Sequence, residues 1–349
     1  MRRDIWKAFG ITVFCIILDY TTLAVLPRLG LSYGDPLAPW LIFVFVRLFL
    51  FMAWGGLYGA WLKRRRPDVG SRRMAAPLII VDALLTIVIF YGFYIEPFWL
   101  TVSRVQIETP DLKPGETLRI VHLSDLHTEH LTRREPEIVA RVADLSPDVI
   151  FWTGDYLNLS FLEHDGVMTD TRQLLEQLSA PYGVYAVQGS VDGPLQMQAL
   201  FSGSSIRVLD DEWIDLPWPG SPVRILGIAN RDFPLDRQEF TQLAPDISES
   251  AYSILLYHSP DLAPEAAEIG MDLVLAGHTH GGQIRLPFYG AVVTFSRYGK
   301  RFEMGQYQIQ DTTLYVSRGL GMEGWWFAPR ARFLCPPEIV VIDLVGAQP

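Results

Sequence analysis

The sequence predicts an α/β domain carried on three membrane-spanning helices, and three observations predict it. Apolar stretches of bilayer length fill most of residues 1–100. From residue 117 onward, short apolar runs alternate with helical patterns, which is how parallel β-α units with covered sheet faces read in sequence. Polar side chains end the successive predicted strands, where open α/β sheets place their sites. The chain divides on these grounds into a membrane domain (1–100), a linker (101–116) and a site-bearing domain (117–349).

The membrane domain comes first. Ile5 to Leu26, Leu37 to Leu62 and Pro77 to Leu100 each reach the roughly 20 apolar residues that a crossing needs. One such stretch reads equally well as a buried core helix. Three in succession, with Trp40, Trp61, Tyr94 and Trp99 near their ends, read as spans with interfacial aromatics. Arg2-Arg3 before the first stretch resembles the start of a signal peptide. No small-residue cleavage pattern follows Leu26, so the segment is expected to be retained.

Arg2, Arg3 and Lys7 flank the first span, and Lys63, Arg64, Arg65, Arg66, Arg72 and Arg73 fill the loop after the second. The loop between the first two spans has only Arg28. The positive-inside rule then places the N-terminus in the cytoplasm and everything after the third span on the extracytoplasmic side of a cell membrane. Charges inside spans find partners. Asp19 and Arg47 lie at matching depths and are expected to pair, whereas Asp82 is expected near the inner face.

Residues 1–100 hold 11 Lys+Arg and 6 Asp+Glu, leaving 18 and 33 for the remainder, a net of −15. A nucleic-acid partner is excluded, because phosphate backbones select basic surfaces. Cys15 lies in the first span and Cys335 near the end, so no bridge between them is expected and the outer domain relies on its core.

Thr109 to Glu116 is polar and contains prolines, fitting a connector. Strands are predicted at Arg119 to Leu123, Asp148 to Trp152, Val184 to Val187, Val208 to Leu216, Val223 to Ile228, Ile254 to Tyr257 and Leu273 to Ala276. Helices are predicted at Glu135 to Leu145 and Thr169 to Leu178. The strand ends carry, in order, Asp125 and His127, Asp155, Ser190 with Asp192, His258, then His278 and His280. Each alone reads as a turn residue or a satisfied core histidine. Together they form the carboxylate–imidazole set of a two-metal site.

HLSDLH, TGDYLN, GSVDG, LLYHSPD and GHTHGGQ, in that order, resemble the motif series of the calcineurin-like metallophosphoesterase superfamily. The likeness is strongest to its membrane-anchored bacterial branch, which includes pyrophosphatases that cleave a UDP-sugar lipid. It covers residues 117–345 and extends to LYVSRGLG and PPEI. The resemblance implies a four-layer α-β-β-α sandwich and two divalent metals, manganese, iron or zinc. Asp125, His127 and His280 would hold one metal, His258 and His278 the second, and Asp155 would bridge. Asp125 and Asp155 would thereby be catalytic.

The chain departs from the superfamily where the motif reads Gly-Asn-His-Asp. Here Gly189-Ser190-Val191-Asp192 stands, so Ser190 is the expected stand-in for an asparagine ligand and the phosphate-steadying histidine is missing. Arg318, Arg330 and Arg332 are candidates for binding substrate phosphate, with Arg332 assigned a catalytic role. Trp325, Trp326 and Phe327 serve either as core or as bilayer-interface anchors. His122, His130 and His164 are read as structural or surface residues. The expected function is a membrane-anchored phosphodiesterase or pyrophosphatase acting on a phosphate-ester substrate presented by the lipid bilayer. The Ser190-Val191 departure keeps a second reading open, a metal-binding membrane receptor or scaffold with weak catalysis.

Overall fold

The computed structural model describes residues 2–31, 33–35, 37–64, 72–247, 250–324 and 329–348. The chain forms two units, Met1–Glu96 with Gly324–Ala331, and Pro97–Glu323 with Arg332–Pro349.

The first unit contains three helical stretches long and apolar enough to cross a membrane, Ile5–Arg28, Leu37–Ala60 and Ala76–Phe98. The first runs as α1 (Arg2–Tyr20), a π-helical turn at Thr21–Val25 and α2 (Leu26–Arg28). The others are α3 (Leu37–Arg64) and α4 (Arg72–Phe90), the latter passing into a π-helical turn at Tyr91–Ile95. Apolar side chains such as Phe45, Phe49, Met52 and Ile87 point outward, as they must if lipid replaces water.

The inward-facing groups include a buried polar network. Arg47 on α3 donates from Nε to Asp19 Oδ2 at 2.7 Å and from Nη2 to Asp19 Oδ1 at 3.1 Å and Thr86 Oγ1 at 2.6 Å. Its Nη1 reaches the Asp82 carbonyl at 2.8 Å and Asp82 Oδ1 at 3.0 Å. All five guanidinium N–H groups are thereby satisfied. Thr12 Oγ1 donates to the other Asp82 oxygen at 2.7 Å. The Asp19–Arg47 pair is as expected. Asp82, expected nearer the inner face, meets the same guanidinium, one turn on α4 from Thr86, which Arg47 also reaches. Arg65 and Arg66 of the basic loop, and Trp325, Trp326 and Phe327, lie outside the described residues.

The second unit is built on strands β1 (Thr101–Thr109), β2 (Thr117–Leu123), β3 (Val149–Trp152), β4 (Val184–Ala186) and β5 (Arg207–Val208), then β6 (Glu212–Asp215), β7 (Val223–Gly227), β8 (Tyr252–Leu256) and β9 (Leu273–Ala276). A hairpin, β10 (Arg285–Leu286) and β11 (Gly290–Ala291), precedes β12 (Gly305–Ile309), β13 (Thr312–Val316) and β14 (Glu338–Gly346). Between them lie α5 (Arg134–Leu145), α6 (Asp165–Leu175), α7 (Pro194–Phe201), α8 (Phe233–Leu243) and α9 (Ala263–Glu268). Among the described residues the strands form two mixed sheets, ordered β1-β14-β2-β3-β4-β5 and β12-β13-β9-β8-β7-β6.

Side-chain alternation along the strands builds the layers. On β2, Ile120 enters the apolar layer shared with Ile225, Ile254 and Leu273 of the other sheet. Its neighbour Val121 enters the layer formed with Ile138 and Val142 of α5. A third layer packs Leu255 and Val274 against Phe240 and Ala266 of α8 and α9. Three apolar layers require four layers of secondary structure, so the α-β-β-α sandwich is observed. Opposite faces of one strand point apart, so the central strands β3, β8, β9 and β13 are buried on both faces.

Two expectations are corrected here. The stretch 101–116 is not a linker throughout, since residues 101–109 form edge strand β1, parallel to β14 from Thr101↔Glu338 to Thr109↔Gly346. The predicted strand Val208 to Leu216 is two strands in different sheets. The chain crosses between the sheets at Asp211, which adopts φ 55°, and a left-handed residue breaks strand geometry.

Candidate metal centre

The residues singled out at the strand ends converge. Asp125 and His127 follow β2, Asp155 follows β3, His258 follows β8, and His278 and His280 follow β9. They form two clusters, Asp125–His127–His280 and Asp155–His258–His278, each with ligand-capable atoms within 4.8 Å of one another. One sheet contributes Asp125, His127 and Asp155, and the other the remaining three histidines. The packed carboxyl ends of the two sheets therefore create the site.

Local backbone geometry aims these groups. Asp125 (φ 52°), His127 (45°), Asp155 (56°), His278 (67°) and His280 (50°) all lie in the left-handed region. That conformation is uncommon and costly for residues with a Cβ, and it collects at functional sites. Close approach demands glycine next to them. A Cβ on Gly277 would collide with Ser124 Oγ and Asp125 Oδ2, and one on Gly189 would collide with Asp155.

The ring nitrogens face one another. His127 Nε2 lies 3.0 Å from His280 Nε2, and His278 Nδ1 lies 3.2 Å from His258 Nε2. At such a distance one ring must donate and the other accept. Burial pulls His127 down, yet Glu323, Asp155 and Asp125 outweigh it and push it up to about 9. Burial likewise opposes the charged form of His258, and Asp155 and Asp125 push it up to about 9. His280 is held well below the ordinary imidazole value by burial and by the His127 charge. Burial, then the His258 charge, lowers His278. In each cluster the carboxylates favour positive charge at the imidazoles, and a bound cation would take the place of the proton.

Asp155 reaches both clusters, with Oδ2 3.0 Å from His258 Nε2 and 3.5 Å from His127 Nε2. Burial works to raise its carboxyl, and the His258, His127 and His278 imidazoles outweigh that and hold it well below the usual carboxylate range. Asp125 lies 3.5 Å from His280 Nε2 and accepts the His278 backbone N–H at 3.0 Å, tying the two sheets' turns together. His258 Nδ1 meets the Thr153 carbonyl at 2.5 Å. That bond fixes the tautomer and leaves Nε2 facing the cluster, as metal-binding histidines do.

Ser190, expected as a ligand, donates its hydroxyl to Asp155 Oδ2 at 3.1 Å, and the Val191 N–H adds a bond to Oδ1 at 3.0 Å. It therefore reaches the second cluster through that carboxylate. Asp192 accepts the Tyr156 N–H at 3.1 Å and holds the chain that follows Asp155. Burial and the Asp155 charge push Asp192 up to about 7.

Arg332, read as catalytic from the sequence, lies near enough to the centre for its charge to act on His280. It is wholly buried, and its guanidinium donates to the carbonyls of Gly321, Cys335, Arg318 and Gly319. Nε, Nη2 and one of the two Nη1 N–H groups are thereby committed to backbone. Arg318 is committed to Glu338 at 2.7 Å, and Arg330 belongs to the first unit. His122 bonds Thr153 Oγ1 at 2.8 Å, and burial pushes it down to about 3. His164 caps α6 by accepting from the Val167 N–H.

Glu323 escaped the sequence reading. Its Oε2 lies 3.1 Å from His127 Nδ1, and Asn158 Nδ2 and the Leu159 N–H donate to the same carboxylate. A lone acid in a glycine-rich segment carries no local signal; only folding brings it to the ring. Glu323→Gln is expected to weaken metal binding by roughly 10–100-fold, the usual cost of losing a carboxylate behind a ligating histidine. Metal titration of the purified chain checks it, and an unchanged binding curve would remove Glu323 from the site.

Comparison with known proteins agrees with this geometry. The family profile for the calcineurin-like phosphoesterase matches residues 118–282. The metallophosphoesterase YkuE of Bacillus subtilis is 32% identical over 73% of this chain and 88% of its own length. A metallophosphoesterase of Aquifex aeolicus is 30% identical over 74% of this chain and 98% of its own. The UDP-2,3-diacylglucosamine pyrophosphatase LpxG of Chlamydia trachomatis is 25% identical over 77% of this chain and 96% of its own. Motif order, sheet packing and paired His/Asp clusters, together with relatives alike across nearly their whole length, make this chain a member of the metal-dependent calcineurin-like phosphoesterase family.

Proposed function

We propose that the chain is a membrane-anchored hydrolase of a phosphodiester or pyrophosphate bond in a lipid or nucleotide-lipid, with its catalytic unit on the extracytoplasmic side. The observation that carries the reading is the pair of clusters joined at Asp155. Asp125, His127 and His280 would hold one divalent ion, His258 and His278 a second, with Asp155 serving both. Ions in such a pair supply Lewis-acid charge neutralisation and an acidified water to a phosphate ester. A nitrogen–oxygen donor set suits manganese, iron or zinc. Thr153 and Glu323 orient His258 and His127, while Ser190 and Val191 hold the Asp155 carboxylate in place. No protein nucleophile is required.

A lipid-linked substrate is supported by the three apolar helices and by the relatives named UDP-2,3-diacylglucosamine pyrophosphatase. The orientation rests on the loop charges alone. The test is hydrolysis of bis-p-nitrophenyl phosphate by the full chain in detergent with added manganese, alongside release of phosphate products from a membrane-lipid panel. Turnover abolished by chelator is expected. Tight metal without turnover would favour the receptor reading, which the Ser190-Val191 pair motivates. Ser190→Asn is expected to shift metal activation to lower concentration, because an amide oxygen reaches further than a hydroxyl. A single activation curve shared with the parent would show that the second ion is independent of this position.

A further inference from the structure

The turn that carries His280 runs directly into the β10–β11 hairpin, and this hairpin presents apolar side chains to the outside. Phe288 at its tip is 111% exposed and Phe295 78%, with Leu286, Tyr289, Val292 and Val293 each at half exposure or more. Phe288 (φ 65°) and Phe295 (φ 57°) are both left-handed, an outlier for bulky residues that calls for a reason. The hairpin is nonetheless firmly held. Lys300 Nζ donates to the Tyr289 and Ala291 carbonyls at 2.7 and 2.9 Å. Arg285 bridges Glu303 at 2.8 Å and donates to the Gly281 carbonyl at 2.6 Å, so its base is fastened beside His280. Side chains held outward on a fixed scaffold are a surface made to meet something apolar.

Charge selects what that is. Residues 284–303 carry Arg285, Arg297, Lys300 and Arg301 against Glu303 alone, within a part of the chain, 101–349, that has 18 basic and 33 acidic residues. Arg297 and Arg301 are exposed, whereas the Lys300 ammonium is taken up by Glu303 and the two hairpin carbonyls. Aromatic tips with a basic rim match the interface of a bilayer containing anionic lipid, and the same chain carries three helices of membrane-spanning length.

We infer that the 285–301 segment docks into the anionic lipid–water interface, Phe288 and Phe295 entering below the headgroups. This deepens the proposed reading, on which it rests for its purpose: a docked hairpin presents the neighbouring metal centre to lipid headgroups.

The experiment uses the full chain in nanodiscs of equal parts phosphatidylcholine and phosphatidylglycerol, with a bimane label at Phe288→Cys or, as a reference, at Asp311→Cys, an exposed turn position. The native Cys15 and Cys335 are buried and do not compete. The label at 288 is expected to shift to the blue, to lose iodide quenching several-fold relative to 311, and to gain quenching by headgroup-proximal doxyl lipid. Replacing phosphatidylglycerol with phosphatidylcholine should weaken all three. Full iodide access at 288, or no dependence on anionic lipid, would overturn the inference. So would shielding from iodide and doxyl lipid alike, the result of contact with a protein partner or a second copy. Hydrolysis of bis-p-nitrophenyl phosphate on the same sample separates the two claims. Turnover with an unquenched label removes the docking alone, and lipid quenching without turnover removes the catalytic reading alone.

Discussion

Asp155→Asn is expected to abolish hydrolysis and to empty both metal positions. The carboxylate lies 3.0 Å from His258 and 3.5 Å from His127, one in each cluster, so one substitution removes negative charge from two cation sites at once. The loss should exceed the roughly 100-fold that removal of an outer partner can cost, since Asp155 would be a direct ligand. Asp125→Asn provides the contrast. It should deplete the first position more than the second, because its side chain approaches His280 at 3.5 Å and His258 only at 4.0 Å. Elemental analysis and bis-p-nitrophenyl phosphate turnover on both variants decide the matter. If Asp155→Asn kept its metal and its rate, the shared-carboxylate assignment would be wrong.

The second large effect is expected among the three apolar helices of the first unit. Arg47→Leu would strand Asp19 and Asp82, both about 1% exposed, without the guanidinium that binds them. Removing one partner of a buried ion pair typically costs about 3–5 kcal/mol, and here two carboxylates lose theirs. Asp19→Asn or Asp82→Asn should cost less, because Arg47 keeps one carboxylate in each case. Neutralising Asp19 and Arg47 together should not restore stability, since Asp82 would remain unpaired. Neutralising all three should recover much of the loss. Folded yield and thermal unfolding in detergent measure the series, and equal losses for Arg47→Leu and the triple variant would show that the carboxylates find other partners.

Much of the site was legible because its parts are local. Each candidate residue follows a short apolar strand with glycine or serine nearby, as in Gly277-His278-Thr279-His280. Sequence shows where a strand ends and which donors stand there. It also shows the three apolar stretches long enough to cross a bilayer, and it shows the match of Asp19 with Arg47, since helical rise is constant.

Other features depended on the tertiary structure. Glu323 meets His127 from a distant part of the chain, and Arg332 turns inward to carbonyls 3 to 14 residues away, which its own loop must fold to supply. Edge strand β1 is polar in composition, with Val105 and Ile107 only partly buried, and its pairing with β14 outweighs that composition. Asp82 joins Arg47 because of how α4 is rotated, and rotation follows from packing rather than from depth. What the sequence determined by itself was therefore the inventory and order of donors, since strand ends and apolar lengths obey short-range periodicities. What only the tertiary structure decided was which charges meet, because that depends on how two sheets, or three helices, close upon one another.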